Sequence, residues 1–164
     1  MKKLSIVCGA AGVGKSTYAR QLALARGACL LDSDTVTEPV VRAGLTLAGL
    51  DPGDRDSPLY KETFRDAVYE CLFATAGENL PQREVIIVGP FTRECREEDW
   101  PERLRARFGC EVEILFVACG EEERRERIAA RGNPRDAAKL ADWESYARES
   151  RLEPPAFPHV LVQT

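Results

Sequence analysis

The 164-residue chain has the length of one α/β domain and is too short for a second independent folding unit. Its 23 Lys and Arg residues against 27 Asp and Glu give a net charge of −4, which excludes an overall field that attracts nucleic acid or an anionic membrane. Any binding of phosphate therefore depends on a local arrangement of residues. We expect a single domain over residues 1–164.

Apolar runs alternate with longer helical patterns along the chain. The runs predict strands at residues 4–8, 29–31, 85–88, 112–117 and 159–162. The patterns between them predict helices at residues 15–26, 36–48, 59–78, 100–107, 121–131 and 136–150. Strands this apolar are expected to be buried on both faces. The alternation therefore predicts an α/β fold of three layers, with a parallel sheet between two layers of helices.

A glycine-rich segment follows the first predicted strand. Residues 9–16 read Gly-Ala-Ala-Gly-Val-Gly-Lys-Ser, which fits G-x-x-x-x-G-K-[ST] at every specified position, and a helical pattern follows. Glycines let backbone N–H groups approach an anion, and the start of the helix adds positive partial charge. The motif predicts that Lys15 bridges the β- and γ-phosphates of a nucleotide and that Ser16 binds Mg²⁺. The predicted nucleotide cradle comprises Gly9, Ala10, Ala11, Gly12, Val13, Gly14, Lys15, Ser16 and Thr17.

Two aspartates, Asp32 and Asp34, follow the second predicted strand. The carboxyl ends of parallel strands form the ligand-binding edge of such a sheet, so both carboxylates are expected beside the cradle. A carboxylate there binds Mg²⁺, or it orients an acceptor hydroxyl and accepts its proton. Helix capping is the alternative, because Asp34 or Thr35 suits the N-cap of a helix that begins near Val36.

The phosphate motif and the sequence Asp32-Ser33-Asp34 resemble those of the P-loop small-molecule kinases, in particular shikimate kinase, and of the zeta-toxin and polynucleotide-kinase group. The resemblance implies a P-loop NTPase fold with strand order 2-3-1-4-5 and ATP and Mg²⁺ as cofactors. It also implies that Asp32 lies near Mg²⁺ and that Asp34 binds and activates the acceptor hydroxyl. Residues 31–39, 135–136 and 139–143 resemble bacterial proteins labelled only as AAA-family ATPases, a label that describes a fold.

One departure from the family pattern follows the third predicted strand. That strand ends in Val88-Gly89-Pro90, without the Walker-B aspartate that many ATPases have there. Because this aspartate is missing, we expect Asp32 to supply the carboxylate that the Walker-B aspartate supplies in those ATPases.

Arginines are concentrated after the fourth predicted strand, ahead of a turn-rich break at residues 132–135. Arginines on a closing segment stabilise the charge of a transferring phosphoryl group and help to exclude water. We therefore expect a lid around residues 127–137, and the resemblance assigns this role to Arg127 and Arg131, with Arg135 as a further candidate. The alternative is a solvated helix in which the arginines form i,i+4 ion pairs.

The acceptor-binding residues are marked less specifically. Residues 51–70 are rich in charge and aromatics and lie where related kinases place their acceptor-binding helices, which makes Arg65 a candidate. Thr92 and Arg93 are candidates because they follow the third strand at the same edge of the sheet. Ordinary packing or solvation is the alternative for each of them.

The cysteines and the hydropathy pattern indicate the cellular compartment of the protein. Six cysteines occur without a Cys-x-x-Cys pair, and His159 is the single histidine that could join them in a metal site, so we interpret them as reduced thiols. Cys8 and Cys119 lie in apolar runs, where a buried thiol packs as a small hydrophobic group. No apolar run reaches the ~18 residues that span a bilayer, and no signal peptide is evident. The sequence therefore predicts a cytoplasmic protein without membrane contact.

Together these features predict a P-loop phosphotransferase that moves the γ-phosphoryl group of ATP to a hydroxyl of a small metabolite, sugar, nucleoside or antibiotic. A polynucleotide 5′-hydroxyl kinase is one alternative, disfavoured because no basic, aromatic-studded groove of the kind that single strands require is evident. A nucleotide-dependent regulatory ATPase is the other. The paired aspartates argue against it, because a switch needs only one group to orient water.

Overall fold

The fold is built around one parallel sheet. The computed structural model describes residues 2–55 and 57–164, and at position 135 the backbone alone. Within these ranges the strands are β1 (Lys3–Cys8), β2 (Cys29–Asp32), β3 (Val85–Val88), β4 (Glu111–Ala118) and β5 (Val160–Gln163). All neighbouring strands are parallel and lie in the order β2-β3-β1-β4-β5, which confirms the predicted order.

Helices of the described ranges connect the strands and cover the sheet. They are α1 (Lys15–Arg26), α2 (Ser33–Leu47), α3 (Pro58–Thr63), α4 (Arg65–Asn79), α5 (Trp100–Phe108), α6 (Glu121–Ala130), α7 (Ala137–Ala141) and α8 (Trp143–Glu149). Short 3₁₀ turns lie at Glu94–Arg96 and Pro134–Asp136. No α-helix in this part of the chain is long and apolar enough to cross a bilayer.

Each face of the sheet packs against its own helices, because successive strand residues point to opposite faces. Ile6 and Cys8 of the central strand lie in a buried cluster with side chains of α4 and α5. Val7, between them, lies in a second cluster with Ala19 and Ala23 of α1. This arrangement confirms the three predicted layers.

The cysteines follow the expected pattern in part. All six are free thiols. Cys8 is buried and packs as the predicted small hydrophobic group, whereas Cys119 is only half-buried.

The last strand differs from the sequence-based expectation. β5 lies at the edge of the sheet beside β4, and Val160 and Leu161 are 48% and 50% exposed. The prediction that every strand is buried on both faces is therefore wrong for β5. Its apolar residues resemble those of the central strands, so composition does not distinguish the edge of a sheet from its centre.

Local hydrogen bonds correct three predicted helix boundaries. α2 begins at Ser33 rather than near residue 36, because the Asp32 carboxylate caps it. The predicted helix 59–78 is divided at Phe64 into α3 and α4. The predicted helix 136–150 is divided at Asp142, whose side chain accepts a hydrogen bond from Ser145 N and caps α8. The other predicted elements agree with the structure to within one residue at each end.

An ionic network joins the strands at the edge of the sheet opposite their carboxyl ends. The Ser5 hydroxyl on β1 is fully buried and lies 3.1 Å from Glu84 Oε1 and 3.1 Å from Glu113 Oε2. Arg26, in the last turn of α1, donates hydrogen bonds to Glu84 at 2.7 Å and to Glu113 at 2.9 Å. The network therefore holds the end of α1 against three neighbouring strands.

We predict that Arg26→Met lowers the free energy of unfolding by about 1–3 kcal/mol, because it leaves two carboxylates and the buried Ser5 hydroxyl without their shared donor. Denaturant-induced unfolding measures this difference. The control is Arg105→Met, which removes an exposed ion pair with Glu102 and should change the free energy by less than about 0.5 kcal/mol. An equal loss in both variants would contradict the importance of the network.

Candidate active site

The phosphate motif forms a tight loop between β1 and α1. Gly9, Gly12 and Gly14 have positive φ angles of 140°, 84° and 90°. A Cβ atom at Gly9 would lie 2.3 Å from the carbonyl oxygen of Val117 on β4, so a larger residue does not fit there. The glycines let the loop pass close to the sheet and turn into α1, which begins at Lys15 with the unpaired N–H groups of a helix start.

Two arginines of α6 donate hydrogen bonds to carbonyl oxygens of this loop. Arg124 Nε lies 2.7 Å from Ala11 O, and Arg127 Nη1 lies 3.2 Å from Val13 O. In a planar trans peptide the C=O and N–H bonds point in opposite directions. Each arginine therefore fixes the direction of the N–H on the far side of the same peptide, where an anion would accept its hydrogen bond.

Arg124 also connects the phosphate loop to α8. It is 6% exposed, and its Nη2 donates a hydrogen bond to the Ser150 hydroxyl at 2.7 Å. Its guanidinium lies 5.6 Å from the ring centroid of Trp143 and 5.3 Å from that of Tyr146. The alternative of a solvated arginine does not hold for this residue. The spacing offered a signal, because Arg124 lies one turn before Ile128, the other buried side chain of α6.

Lys15 lies at the start of α1 in a partly buried position. Its Nζ donates a hydrogen bond to Ala10 O at 2.7 Å. Burial lowers the pKa of Lys15 to about 8, and the carboxylates of Asp34 and Asp32 oppose this shift. A phosphate bound in the loop would also favour the charged form of the ammonium group.

Asp32 joins the end of β2 to the phosphate loop. Its Oδ2 accepts a hydrogen bond from the Ser16 hydroxyl at 2.5 Å, and its Oδ1 accepts one from the backbone N–H of Asp34 at 3.1 Å. Asp32 is therefore the N-cap of α2, and the alternative that Asp34 or Thr35 caps this helix is wrong.

The oxygen atoms of Ser16 and Asp32 fit Mg²⁺. Both are hard donors, and Mg²⁺ is often held by one or two side chains together with water and substrate phosphates. Within residues 2–55 and 57–164 no group of three or more His, Cys, Asp or Glu side chains is arranged to hold a metal ion. A magnesium ion held mainly by phosphates is consistent with that arrangement.

A cleft of about 1170 Å³ runs over the carboxyl ends of the strands. This volume is slightly above the range of roughly 300–1,000 Å³ that is typical of a pocket for one small ligand. Predicted site residues that line the cleft are Ala10, Ala11, Gly12, Gly14, Lys15, Ser16, Thr17, Asp32, Asp34, Arg65, Thr92, Arg127 and Arg131. Gly9 and Val13 are buried behind the surface of the loop.

The predicted lid segment forms one side of the cleft. Arg131 makes two hydrogen bonds with the buried carboxylate of Asp136, from Nε to Oδ2 at 2.6 Å and from Nη2 to Oδ1 at 3.0 Å. Lys139 Nζ lies 3.4 Å from the same carboxylate. Arg127 forms an i,i+4 ion pair with Glu123, as the alternative reading of this helix proposed, and still lines the cleft. The side chain of Arg135 lies outside the described residues.

The opposite side of the cleft contains Arg65. Its Nη2 donates a hydrogen bond to Glu94 Oε2 at 2.7 Å, and its guanidinium lies 4.9 Å from the ring centroid of Tyr69. The Tyr69 hydroxyl accepts a hydrogen bond from the backbone N–H of Phe91 at 3.2 Å. Phe91 is fully buried and has a φ of 48°, a left-handed conformation that is rare for an aromatic residue. These contacts fix the loop that follows β3.

The structure places Arg93 outside the cleft. Its side chain is 58% exposed and lies 2.8 Å from Asp66. Arg96, three residues later, lines the cleft, as do Arg55 and Lys61. Arg55 and Lys61 belong to the charged stretch 51–70 that the sequence marked as a whole, whereas Arg96 was not predicted. Arg96 lies in a 3₁₀ turn of three residues, which is too short to leave a periodic pattern.

The cleft has an excess of positive charge although the chain as a whole is acidic. Its acidic lining residues are Asp32, Asp34, Glu38 and Glu149. Its ten basic lining residues are Lys15, Arg20, Arg55, Lys61, Arg65, Arg96, Arg127, Arg131, Lys139 and Arg151. Since these come from separate segments, no basic run marks them in the sequence. The fold thus assembles a basic groove, with tyrosines in its lining, that the sequence analysis did not expect.

Comparison with known proteins identifies the family. A family model described as an AAA domain matches residues 4–155. The chain belongs to this AAA domain family. The match spans four of the five strands, the phosphate loop and the lid segment of the AAA domain. No curated protein sequence matches the chain.

Solved structures with similar folds include several kinases. A "putative kinase" of Chloroflexus aurantiacus j-10-fl is 21% identical, with a TM-score of 0.70 over 99% of this chain and 84% of that chain. A sugar kinase of Janibacter sp. HTCC2649 is 18% identical, with a TM-score of 0.61 over 99% and 86%. A shikimate kinase of Bacteroides thetaiotaomicron is 17% identical, with a TM-score of 0.53 over 90% and 77%. At these identities the comparison establishes the fold, and this AAA domain has the predicted P-loop NTPase fold.

We predict that Arg124→Met weakens nucleotide binding by about tenfold or more, because it removes a charge-assisted hydrogen bond that orients the phosphate loop. Arg124→Lys retains the charge and should recover part of the affinity. Isothermal titration calorimetry measures both. Arg125→Met is the matched control, since Arg125 is the next residue of α6 and is exposed. Wild-type affinity in Arg124→Met would contradict the proposed support of the loop.

Asp136 makes the stability of the predicted lid segment depend on pH. Burial by itself would raise the pKa of this carboxyl group, but Arg131 and Lys139 outweigh burial and hold the pKa below its usual value. A carboxylate with a lowered pKa stabilises the fold above the pKa of the unfolded chain. This stabilisation is lost as the pH falls through the lower pKa of the folded state.

We predict that Asp136→Asn is less stable than the wild type by about 1–3 kcal/mol at neutral pH, because Arg131 loses its charged partner. The difference should shrink as the pH falls below about 4, where the wild-type carboxyl also becomes protonated. Denaturant titrations of both proteins over this pH range measure it. A difference that stays constant down to about pH 2 would contradict the assignment to this carboxylate.

Proposed function

We propose that this AAA domain protein is a cytoplasmic phosphotransferase that moves the γ-phosphoryl group of ATP to a hydroxyl of a small molecule, with Mg²⁺ as cofactor. The observation that carries the proposal is that the cleft holds a carboxylate, Asp34, in addition to the Ser16–Asp32 pair that fits a metal ion. Asp34 exerts the strongest of the charge effects on the pKa of Lys15. A base beside the phosphate-binding lysine is the group that an acceptor hydroxyl requires.

The backbone leaves the side chain of Asp34 available for this role. Asp34 lies in the first turn of α2, and its N–H is bound by the carboxylate of Asp32. Because Asp32 caps the helix, the carboxylate of Asp34 is not needed as a cap, and it is exposed in the cleft. The two aspartates therefore have different tasks.

In the proposed reaction the acceptor hydroxyl gives its proton to Asp34 while its oxygen forms a bond to the γ-phosphorus. The bond between this phosphorus and the β,γ-bridging oxygen breaks, and ADP leaves with that bonding pair. Lys15 and the N–H groups of the phosphate loop stabilise the negative charge of the transferring group. Ser16 and Asp32 would hold Mg²⁺, which neutralises charge on the nucleotide phosphates.

Arg127 and Arg131 are the proposed lid arginines. Both line the cleft, but Arg131 is bound to Asp136 and Arg127 to Val13 and Glu123. Closure of residues 127–137 would bring their guanidinium groups onto the equatorial oxygens of the phosphoryl group. Of the proposed acceptor residues, Asp34 and Arg65 line the cleft, whereas Arg93 would have to leave Asp66 to reach it.

We predict that Asp34→Asn binds Mg²⁺ and ATP within about threefold of the wild type but transfers the phosphoryl group about 10²–10⁴-fold more slowly, because it removes only the proton acceptor. The backbone N–H that Asp32 binds is unchanged in this variant. Lys15→Ala should lose both binding and transfer. Calorimetry measures binding, and transfer of isotopically labelled γ-phosphate measures the reaction.

The control for charge removal is Asp99→Asn, because Asp99 is exposed and is not among the residues that line the cleft. Wild-type transfer by Asp34→Asn would contradict the role of Asp34 as the base. The assay has three further arms: a pool of small metabolites, an oligonucleotide with a 5′-hydroxyl, and no acceptor. Labelling of a metabolite supports the proposal. Labelling of the oligonucleotide would favour a polynucleotide kinase, and a basal rate that no acceptor changes would favour a regulatory ATPase.

A further inference from the structure

We propose that the acceptor carries an anionic group, a carboxylate or a phosphate, which Arg65 and Arg96 bind at the end of the cleft farther from the lid. The inference rests on the proposed function, because it concerns the second substrate of the same site. It adds that this substrate is negatively charged, which the requirement for a hydroxyl group does not specify.

The strand order divides the cleft into two ends. β1 and the phosphate loop lie at the centre, the segments after β2 and β3 form one end, and the segments after β4 form the other. At the β2–β3 end the charged lining residues are Asp34, Glu38, Arg55, Lys61, Arg65 and Arg96. Four are basic and two are acidic, so a nucleotide bound at the centre leaves this end with surplus positive charge.

Glu38 does not reduce this surplus for a ligand. Its Oε2 lies 2.8 Å from Arg55 Nη2 and accepts a hydrogen bond from Arg55 Nε at 3.2 Å. Arg55 Nη1 is bound to the carbonyl oxygen of Pro52. We therefore assign Arg55 and Glu38 to the structure of the loop before α3 and not to acceptor binding.

Arg65 is held in one orientation before any ligand arrives. Its side chain is 16% exposed, with one edge of the guanidinium on the buried carboxylate of Glu94 and one face on the ring of Tyr69. A guanidinium has five N–H donors in a fixed plane. Glu94 accepts from Nη2 at 2.7 Å, and the exposed Asp66 Oδ1 lies 3.4 Å from Nη1. The remaining donors suit the planar fork of a carboxylate or two oxygens of a phosphate. Glu94 is therefore a positioning residue for Arg65.

Arg96 and Lys61 supply the net charge, because Glu94 balances Arg65. Both side chains are exposed and line the cleft, and neither forms an ion pair with another described residue. Arg96 lies in the same 3₁₀ turn as Glu94, so one short element sets the positions of both arginines. No Asn or Gln within the described ranges lines the cleft. Hydroxyl groups of Ser33, Thr37 and Thr92 also line this end and can donate to a neutral or a charged ligand. The net positive charge of this end favours an anion over a neutral polyol.

The experiment measures anion binding to protein whose nucleotide site is already filled. The full chain is saturated with Mg²⁺ and the β,γ-imido analogue of ATP, which occupies the γ-phosphate position, and loading is verified by calorimetry. Malonate, inorganic phosphate and malonamide are then titrated at constant ionic strength. Malonamide is the uncharged counterpart of malonate. The variants are Arg65→Gln, Arg96→Gln and the control Arg107→Gln, which removes an exposed arginine paired with Glu70 on α4.

We expect malonate or phosphate to bind the wild type and Arg107→Gln, and malonamide not to bind. Arg65→Gln and Arg96→Gln should each weaken the anion by about tenfold or more, since each removes a charge-assisted contact. Stronger binding of malonate would indicate a carboxylate acceptor, and stronger binding of phosphate a phosphorylated one. Arg96 is exposed, so its variant is expected to fold even if loss of Arg65 destabilises the chain.

Three results would overturn the inference: no anion binding to the loaded wild type, equal binding of malonamide, or unchanged anion binding in Arg96→Gln. Each leaves the proposed phosphotransfer intact. If the imido nucleotide does not bind, the proposed function itself fails, and the anion titration of unloaded protein still reports whether Arg65 and Arg96 form a site.

Discussion

The two hydrogen bonds of the Asp32 carboxylate are the constraint on which the candidate site depends. One oxygen accepts from Ser16 in the first turn of α1, and the other accepts from the backbone of Asp34 in the first turn of α2. A single buried side chain at the end of β2 therefore joins the first turns of two helices. Asp32 caps α2 and would also hold the proposed Mg²⁺, so the carboxylate of Asp34 is not needed as the cap of this helix. The two aspartates have different roles because Asp32 caps α2.

A second constraint acts from behind the phosphate loop. Arg124 and Arg127 of α6 donate to loop carbonyl oxygens, so the helix whose last turn begins the predicted lid also orients the phosphate loop. Arg124 extends this contact to the aromatic side chains of α8. The side chains of Arg124 and Arg127 therefore contact the phosphate loop from the helix that leads into the predicted lid, and a change in the loop alters the surroundings of that helix. Binding at the loop would change the contacts of these arginines and, through them, the positions of residues 127–149.

The sequence predicts the fold well because the fold depends on local patterns. Strand and helix periodicity place the layers, and the phosphate loop is specified by glycines whose positive φ angles no other residue adopts easily. The resemblance supplied the strand order, which the structure confirms. The candidate site was predicted only where it lies within one short segment. Arg96 and Arg124 were not predicted because their surroundings are formed by residues distant in sequence. The spacing from Ile128 indicates that Arg124 lies on the buried face of α6, but it does not indicate that the side chain reaches a loop carbonyl.

The charge distribution connects these observations. An acidic chain that gathers ten basic side chains around one cleft keeps like charges close together, and the lowered pKa of Lys15 shows that burial disfavours its charged form there. Part of that repulsion is relieved within the fold, by Glu94 on Arg65 and by Asp136 on Arg131. Anionic ligands would relieve the remaining repulsion between the basic side chains. Anionic substrates would thus both bind the cleft and stabilise the folded chain, because a ligand that binds only the native state shifts the folding equilibrium toward it.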